Sequence, residues 1–427
     1  SSIMLGDNAT GTIDAADNNT GVGVDVFAAL TTGDNNTAVG AASLAANTTA
    51  SENTGVGKGA LNANTTGSNN TGLGRAALAN NTTAADNTAV GYFALVTNTT
   101  GEQNVAVGKN AMAANTTGSN NVAIGELCLD AATTASSNTA VGSRAMGATT
   151  TGASNTAVGQ GALEANTTAS NNTGLGKQAL AANTTGTENS AVGSGALRTN
   201  TTGDYNTAFG YECLRLSTTS DNNTAMGHYA LGANTTGAYN TAVGATALDA
   251  NTTGSDNTAI GYNCLGANTT GAGNTAVGIY SLDANTTGAS NTAVGKFALS
   301  ASTTASSNTA LGNTAGGFVT TGTSNVFVGI QAGGWNSNNS TTGSENIIIG
   351  PYSYTSAADT SSANGLGYNI SCESGYTTVG SGGNDIRAAH GNITWATVSD
   401  ERVKKDIEDS TVGLAFINDL RPVTFNY

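Results

Sequence analysis

The chain has 427 residues, 58 of them Gly, with only 10 % charged and 5 % aromatic residues and a net charge of −15. With no cluster of Lys and Arg to displace counterions from phosphates, this balance excludes nucleic acid and an anionic membrane surface as partners. No apolar run is long enough to span a bilayer, so membrane insertion is not expected.

Ser1 opens the chain in mid-repeat and without an initiator Met, which fits a processed or incomplete polypeptide. From Gly6 to Gly329 a glycine then returns every 17 residues, 20 glycines in strict phase. A fixed period of this kind is the mark of stacked rungs rather than of disorder. Within each period small apolar and polar residues alternate, rich in Thr and Val, as in short strands joined by turns. The only prolines, Pro351 and Pro422, fall outside the array, as suits strands whose every N–H is needed by a neighbour. The expected fold class is all-β, a β-solenoid or β-roll of 17-residue rungs, with residues 1–329 as a regular shaft. At about 4.8 Å per rung, such a shaft is on the order of 95 Å long.

Number the phased glycine 1. Position 17 is then always a large apolar residue (Val39, Leu73, Ile124, Phe209, Met226) and position 5 is nearly always Leu or Met (Leu44, Leu78, Met112, Met146). One Val-sized group, one Leu and a few alanines per rung is thin cover for the entropy of ordering the chain. A core shared between copies, most simply in a parallel homotrimer, is therefore expected. Asn fills position 14 from Asn19 to Asn325, where amides can form a ladder along the axis and tolerate a left-handed corner. The phased glycine is expected where φ is positive or another backbone comes close.

Thr-Thr fills positions 9 and 10, from Thr31-Thr32 to Thr320-Thr321. An ice-binding solenoid would present both on one face, yet adjacent strand residues point oppositely, so that reading ranks below the others. Matches to the N-glycosylation pattern, such as Asn47-Thr-Thr49, arise without selection from the same ladders. Cys128, Cys213 and Cys264 stand at position 4 in place of Ala, about 24 and 14 Å apart along the axis, too far for disulfides. His228 and His390 have no Cys or carboxylate at ligand spacing, and no metal or cofactor is expected.

After Gly329 the phase breaks: Asn346-Ile-Ile-Ile-Gly350 arrives 21 residues on, and the segments around Gly367 and Gly380 look like degenerate rungs. Residues 330–398 form an irregular β cap or tip. The aromatics there, Trp335, Tyr352, Tyr354, Tyr368 and Tyr376, are the candidate binding residues, since loops at the end of a rigid rod are where a ligand surface is expected.

The last stretch, 399–427, changes character and reads as α+β. Leu414, Ile417 and Leu420 recur at helical spacing, Pro422 ends the helix, and Val423–Tyr427 reads as a strand. The run Ser399-Asp400-Glu-Arg402-Val-Lys404, with Leu420-Arg-Pro422-Val-Thr-Phe425 downstream, resembles the start of the self-cleaving intramolecular chaperone at the C-terminus of phage tailspikes, tail fibres and endosialidases. The resemblance implies trimer assembly followed by one cleavage at Ser399–Asp400, with Ser399 as nucleophile and Lys404 as its activating partner. A neutral lysine beside a serine hydroxyl can accept its proton. More loosely, the Asn-Thr-Ala-Val-Gly units resemble the rungs of trimeric autotransporter adhesin heads, which are parallel trimeric β-rolls.

These readings point to a structural fibre of a phage tail or virion surface. Its implied partners are two further copies of itself, a host-surface glycan or protein, and other tail or filament proteins. The alternative is a bacterial surface adhesin or extracellular filament. Either would reside on a virion or at a cell surface, and neither acts enzymatically on an external substrate.

Overall fold

Each 17-residue period gives one coil with a three-residue strand at positions 15 to 17. In the computed structural model, which describes residues 2–6, 15–335, 338–391 and 396–397, these strands run from Ile3–Leu5 to Val326–Val328. Every strand pairs in parallel with the one a single period away: Thr156 lies opposite Thr173 and Val158 opposite Leu175. The protein is an all-β parallel solenoid, and no helix occurs among the described residues.

The chain turns between strands through left-handed residues at fixed positions: Ala42 at φ 57°, Leu44 at φ 51° and Glu52 at φ 63° in one rung. A bulky residue at positive φ is unusual. Here that backbone aims the Leu at position 5 into the coil, where Leu44, Leu61, Leu78 and Leu95 are completely buried. The phased glycine meets both of its expectations, for Gly40 has φ +121° and a Cβ on it would lie 2.8 Å from the backbone of Gly57.

The interior differs from the sequence expectation at position 17. Strand alternation places 15 and 17 on one side and 16 on the other, and it is position 16, Ala or Gly, that faces inward. Ala38 and Ala106 are fully buried, whereas Val39 is 37 % and Phe209 54 % exposed. The inside of so narrow a coil accepts one Leu, the small residues at positions 4 and 16, and two asparagines. The core closes within one chain, so association of copies has to act through the surface rather than through a shared interior.

One rung shows how tightly volume is balanced. Position 5 is Gly at both Gly316 and Gly333, and in the strand between them Phe327 replaces the Ala of position 16. A Cβ on Gly316 would meet the Phe327 ring at 2.7 Å, and Phe327 is itself fully buried. The ring occupies the space that two Leu side chains fill elsewhere, as close packing demands.

Two amide ladders run up the interior. At position 14, Asn36 Oδ1 accepts from the Asn53 backbone N–H (2.9 Å) while Asn36 Nδ2 donates to the Ala50 carbonyl (3.0 Å). At position 8, Asn98 Nδ2 donates to Asn81 Oδ1 and to the Gly101 carbonyl, both at 2.9 Å. Both sets are buried and each amide shown is bonded, as low-dielectric interiors require. The position-8 ladder breaks where Ala132, Ser217 and Ser302 replace Asn, leaving the Oδ1 atoms of Asn115, Asn200 and Asn285 without a donor. The left-handed residue at this corner is the neighbour at position 13, such as Asn35 at φ 58°, and not the ladder Asn itself. Position 8 is also the Asn of the Asn-Thr-Thr sequons, and its complete burial at Asn47, Asn64 and Asn81 leaves no room for a glycan.

The paired threonines divide as adjacency dictates. At position 9 the Thr48 hydroxyl donates to the Thr65 carbonyl one rung on (3.1 Å), whereas Thr49 at position 10 is exposed. Only one hydroxyl of each pair faces water.

All four cysteines are free and buried. Cys128 and Cys264 donate to the carbonyls of Ala140 and Ala276 (both 3.2 Å), as Ser281 at the same position does to Ala293 (3.0 Å). Burial pushes each thiol up to about 12, which suppresses the reactive thiolate. The native protein is therefore expected to resist iodoacetamide at pH 8 and to label at all four thiols once denatured, as read by mass spectrometry. Native labelling of Cys128, Cys213 or Cys264 would contradict this packing.

Past Val326–Val328 the next strand, Ile347–Ile349, pairs in the same register although it comes 21 residues later. The extra residues project between positions 5 and 8, where Gly334–Trp335 pairs antiparallel with Asn338–Asn339. Asn364–Tyr368 and Tyr376–Ser381 continue the parallel stack as the degenerate rungs expected. Asn384–Ala389 then folds back antiparallel on Tyr376–Ser381, and Ala396–Thr397 pairs antiparallel in turn. This reversal ends the coil, since an antiparallel strand offers no template for another rung.

Candidate functional site

The rungs beyond Gly329 bring some of the candidate aromatics together and separate others. Tyr352 and Tyr368, at positions 3 and 2 of successive rungs, meet edge to face with ring centroids 5.9 Å apart, and Tyr368 is 54 % exposed. Tyr354 is half-buried in the short strand Tyr354–Thr355, which pairs in parallel with Ser371–Cys372. Tyr376 lies under the Arg387 guanidinium, 6.0 Å from its ring centre, and Arg387 also bonds Glu373 at 2.6 Å. The backbone of Trp335 lies in the inserted hairpin, and its side chain is outside the described residues.

A second aromatic series, missed at the sequence level, sits on the shaft at positions 2 and 3. Tyr211 and His228 stack with centroids 5.5 Å apart, and Tyr280 stacks on Phe297 at 5.4 Å with planes 5° apart. The signal was present, because each pair is separated by one 17-residue period and therefore lies at the same corner of consecutive rungs.

A shallow recess of about 280 Å³ lies on the shaft between Asp130, Arg144 and Glu164, with Arg144 and Glu164 3.7 Å apart. Burial raises the Asp130 carboxyl above its ordinary range and Arg144 opposes that rise. No Ser, Cys or Lys lines the recess. Among the described residues, no three His, Cys, Asp or Glu side chains converge as metal ligands would. None of the described helices or strands is a helix long and apolar enough to cross a membrane.

Ser399, Asp400 and Lys404, with the expected helix around Leu414–Leu420 and strand at 423–427, lie outside the described residues. Neither the curated proteins nor the solved structures provide a match to this chain. Residues 399–427 match the family described as the chaperone of endosialidase, and a C-terminal chaperone segment behind a solenoid of 17-residue rungs fits the build of a phage tail fibre or tailspike.

Proposed function

We propose that this chain is the shaft and tip of a trimeric fibre on a phage tail or virion surface. The rod sets the distance between particle and host, and the irregular rungs at its end present the surface that meets a host glycan or protein. The observation carrying this reading is the chaperone match placed directly after a solenoid that grows in one dimension. A rod with one irregular end is suited to spacing and presentation, because repeats contact only their neighbours and transmit no central active cleft. The Tyr352–Tyr368 pair, half-buried at Tyr352 and exposed at Tyr368, suits stacking on a sugar ring, which prefers an aromatic face with an apolar body and a polar tip. The chain acts on no external substrate. Its chemistry is a single hydrolysis of the Ser399–Asp400 bond. The Ser399 hydroxyl adds to the scissile carbonyl as the neutral Lys404 amine takes its proton, Lys404 returns that proton to the departing Asp400 amine, and water hydrolyses the ester left behind.

Mass analysis of the expressed chain tests the processing step. The expected products end at Ser399 and begin at Asp400, and Ser399→Ala is expected to stay intact. An intact unsubstituted chain would remove the self-cleavage assignment. Presentation is tested by adsorption of the purified protein to bacterial surface polysaccharides, where Tyr368→Ala is expected to lower retention at least several-fold without altering the β-sheet circular dichroism.

A further inference from the structure

Positions 15 and 17 form the one outward face of the parallel sheet, and its composition is unlike the rest of the surface. Across the twenty strands from Ile3–Leu5 to Val326–Val328, these positions hold Thr, Ser, Val, Leu, Ile, Phe or Met and never a charge. No position-17 side chain is buried in the described shaft; Ile124 and Val158 are each 40 % exposed and Met226 43 %. With about 4.8 Å per rung and two residues of strand across, the stripe measures on the order of 10 by 95 Å. That is about the area per partner of a stable interface; the position-17 column is apolar throughout, while position 15 is Thr or Ser in 16 of the 20 strands.

The charges nearest this face lie along its two borders and are biased by sign. Beyond the C-terminal end of each strand, position 2 carries Lys58, Arg75, Lys109, Lys177 and Lys296. Before the N-terminal end, positions 12 and 13 carry Asp34, Glu52, Asp86, Glu102, Glu188, Asp204, Asp221 and Asp256. Asp7 and Glu126 at position 2 are exceptions, as are Asp25 and Glu212 at position 3, and Glu126 sits 3.3 Å from Lys109 of the rung before.

We infer that this face is where copies of the chain meet, side by side and parallel, about an axis running along the rod. Two observations select a second copy as occupant. An uncharged stripe of constant period over twenty rungs is matched along its whole length only by a molecule with the same rise. Rotation about an axis parallel to the rod also brings the basic border of one copy against the acidic border of the next. An antiparallel pair would instead set basic border against basic and acidic against acidic. The arrangement is an apolar centre with a charged rim, as at other protein interfaces, and the rim fixes direction. This deepens the fibre reading, on which it rests for the existence of an assembly.

The test uses the full chain. Light scattering is expected to give a multimer, and the triple variant Val141→Asp, Val158→Asp, Leu175→Asp is expected to give a single chain with unchanged β-sheet circular dichroism. A control with Thr151→Asp, Thr168→Asp and Thr185→Asp at the exposed position 10 is expected to remain a multimer. With the native cysteines replaced by Ala, Val56→Cys near one end of the shaft is expected to link to its own equivalent through a short bismaleimide, which only a parallel arrangement permits. A multimer that survives the Asp triple, or that fails to link through Val56→Cys, overturns the face assignment and leaves the fibre reading standing. A native chain that stays single overturns both the face and the trimer.

Discussion

Replacing Gly176 by Ala is expected to break the stack in mid-shaft. Gly176 has φ +134°, and an added Cβ would stand 2.6 Å from both the carbonyl carbon and oxygen of Gly193. The new methyl has no flexible side chain to displace, because the atoms it meets are the backbone of the next rung. A backbone region closed to L-residues costs about 1–3 kcal/mol, and overpacking adds about 1–3 kcal/mol. The sum exceeds what one rung-to-rung contact can absorb in a structure whose repeats touch only their neighbours. Hydrogen exchange is the appropriate measurement, since it resolves local opening. Amides of Thr173–Leu175 and Ser190–Val192 are expected to lose protection while those of Thr54–Val56 keep theirs. Unchanged protection in the variant would mean that the glycines are not set by the approach of successive coils.

Leu163→Ala is expected to destabilise the shaft by about 2–5 kcal/mol, the range for emptying a fully buried Leu site. The cavity cannot collapse easily, for Leu163 is surrounded by small residues such as Ala157, Ala162 and Ala179 that are themselves completely buried. Val158→Ala removes a side chain that is 40 % exposed in the single chain, and its intrinsic cost is expected to stay within about 1 kcal/mol. If copies meet over that stripe, the Val158 effect depends on protein concentration and falls away on dilution, whereas the Leu163 effect does not. Denaturant unfolding at two concentrations separates them. Equal, concentration-independent losses at both sites would place position 17 in the core after all.

The period, the parallel pairing and the ladders were legible because each depends on a residue recurring at one phase. Gly at position 1 and Asn at position 14 cannot drift without breaking a contact in every rung. The inside and the outside were harder to tell apart. Val39 and Leu44 are both large and apolar, and hydrophobicity alone puts both inside. What decides between them is the alternation of Thr37, Ala38 and Val39, which turns the smallest of the three inward. The clue was the smallness of position 16, Ala or Gly in every rung from Gly21 to Ala310. The Leu at position 5 gave no local sign of its left-handed backbone, since nothing in a Leu favours positive φ. At the tip, the aromatics could be named but not grouped, because pairing Tyr352 with Tyr368 depends on the rungs resuming their period after the inserted hairpin. The function of Ser399 and Lys404 rests on resemblance and family match alone.

The hairpin between positions 5 and 8 enlarges one corner, yet Val326 still lies opposite Ile347 and the Asn325 amide still bonds Asn346. Outgrowth at that corner and continuity along the axis are therefore independent. For the gene, this means that recombination adding or deleting whole blocks of seventeen codons changes the length of the rod while leaving every seam in step. Insertions at this corner can meanwhile diversify the surface there, so length and surface are free to evolve on separate schedules.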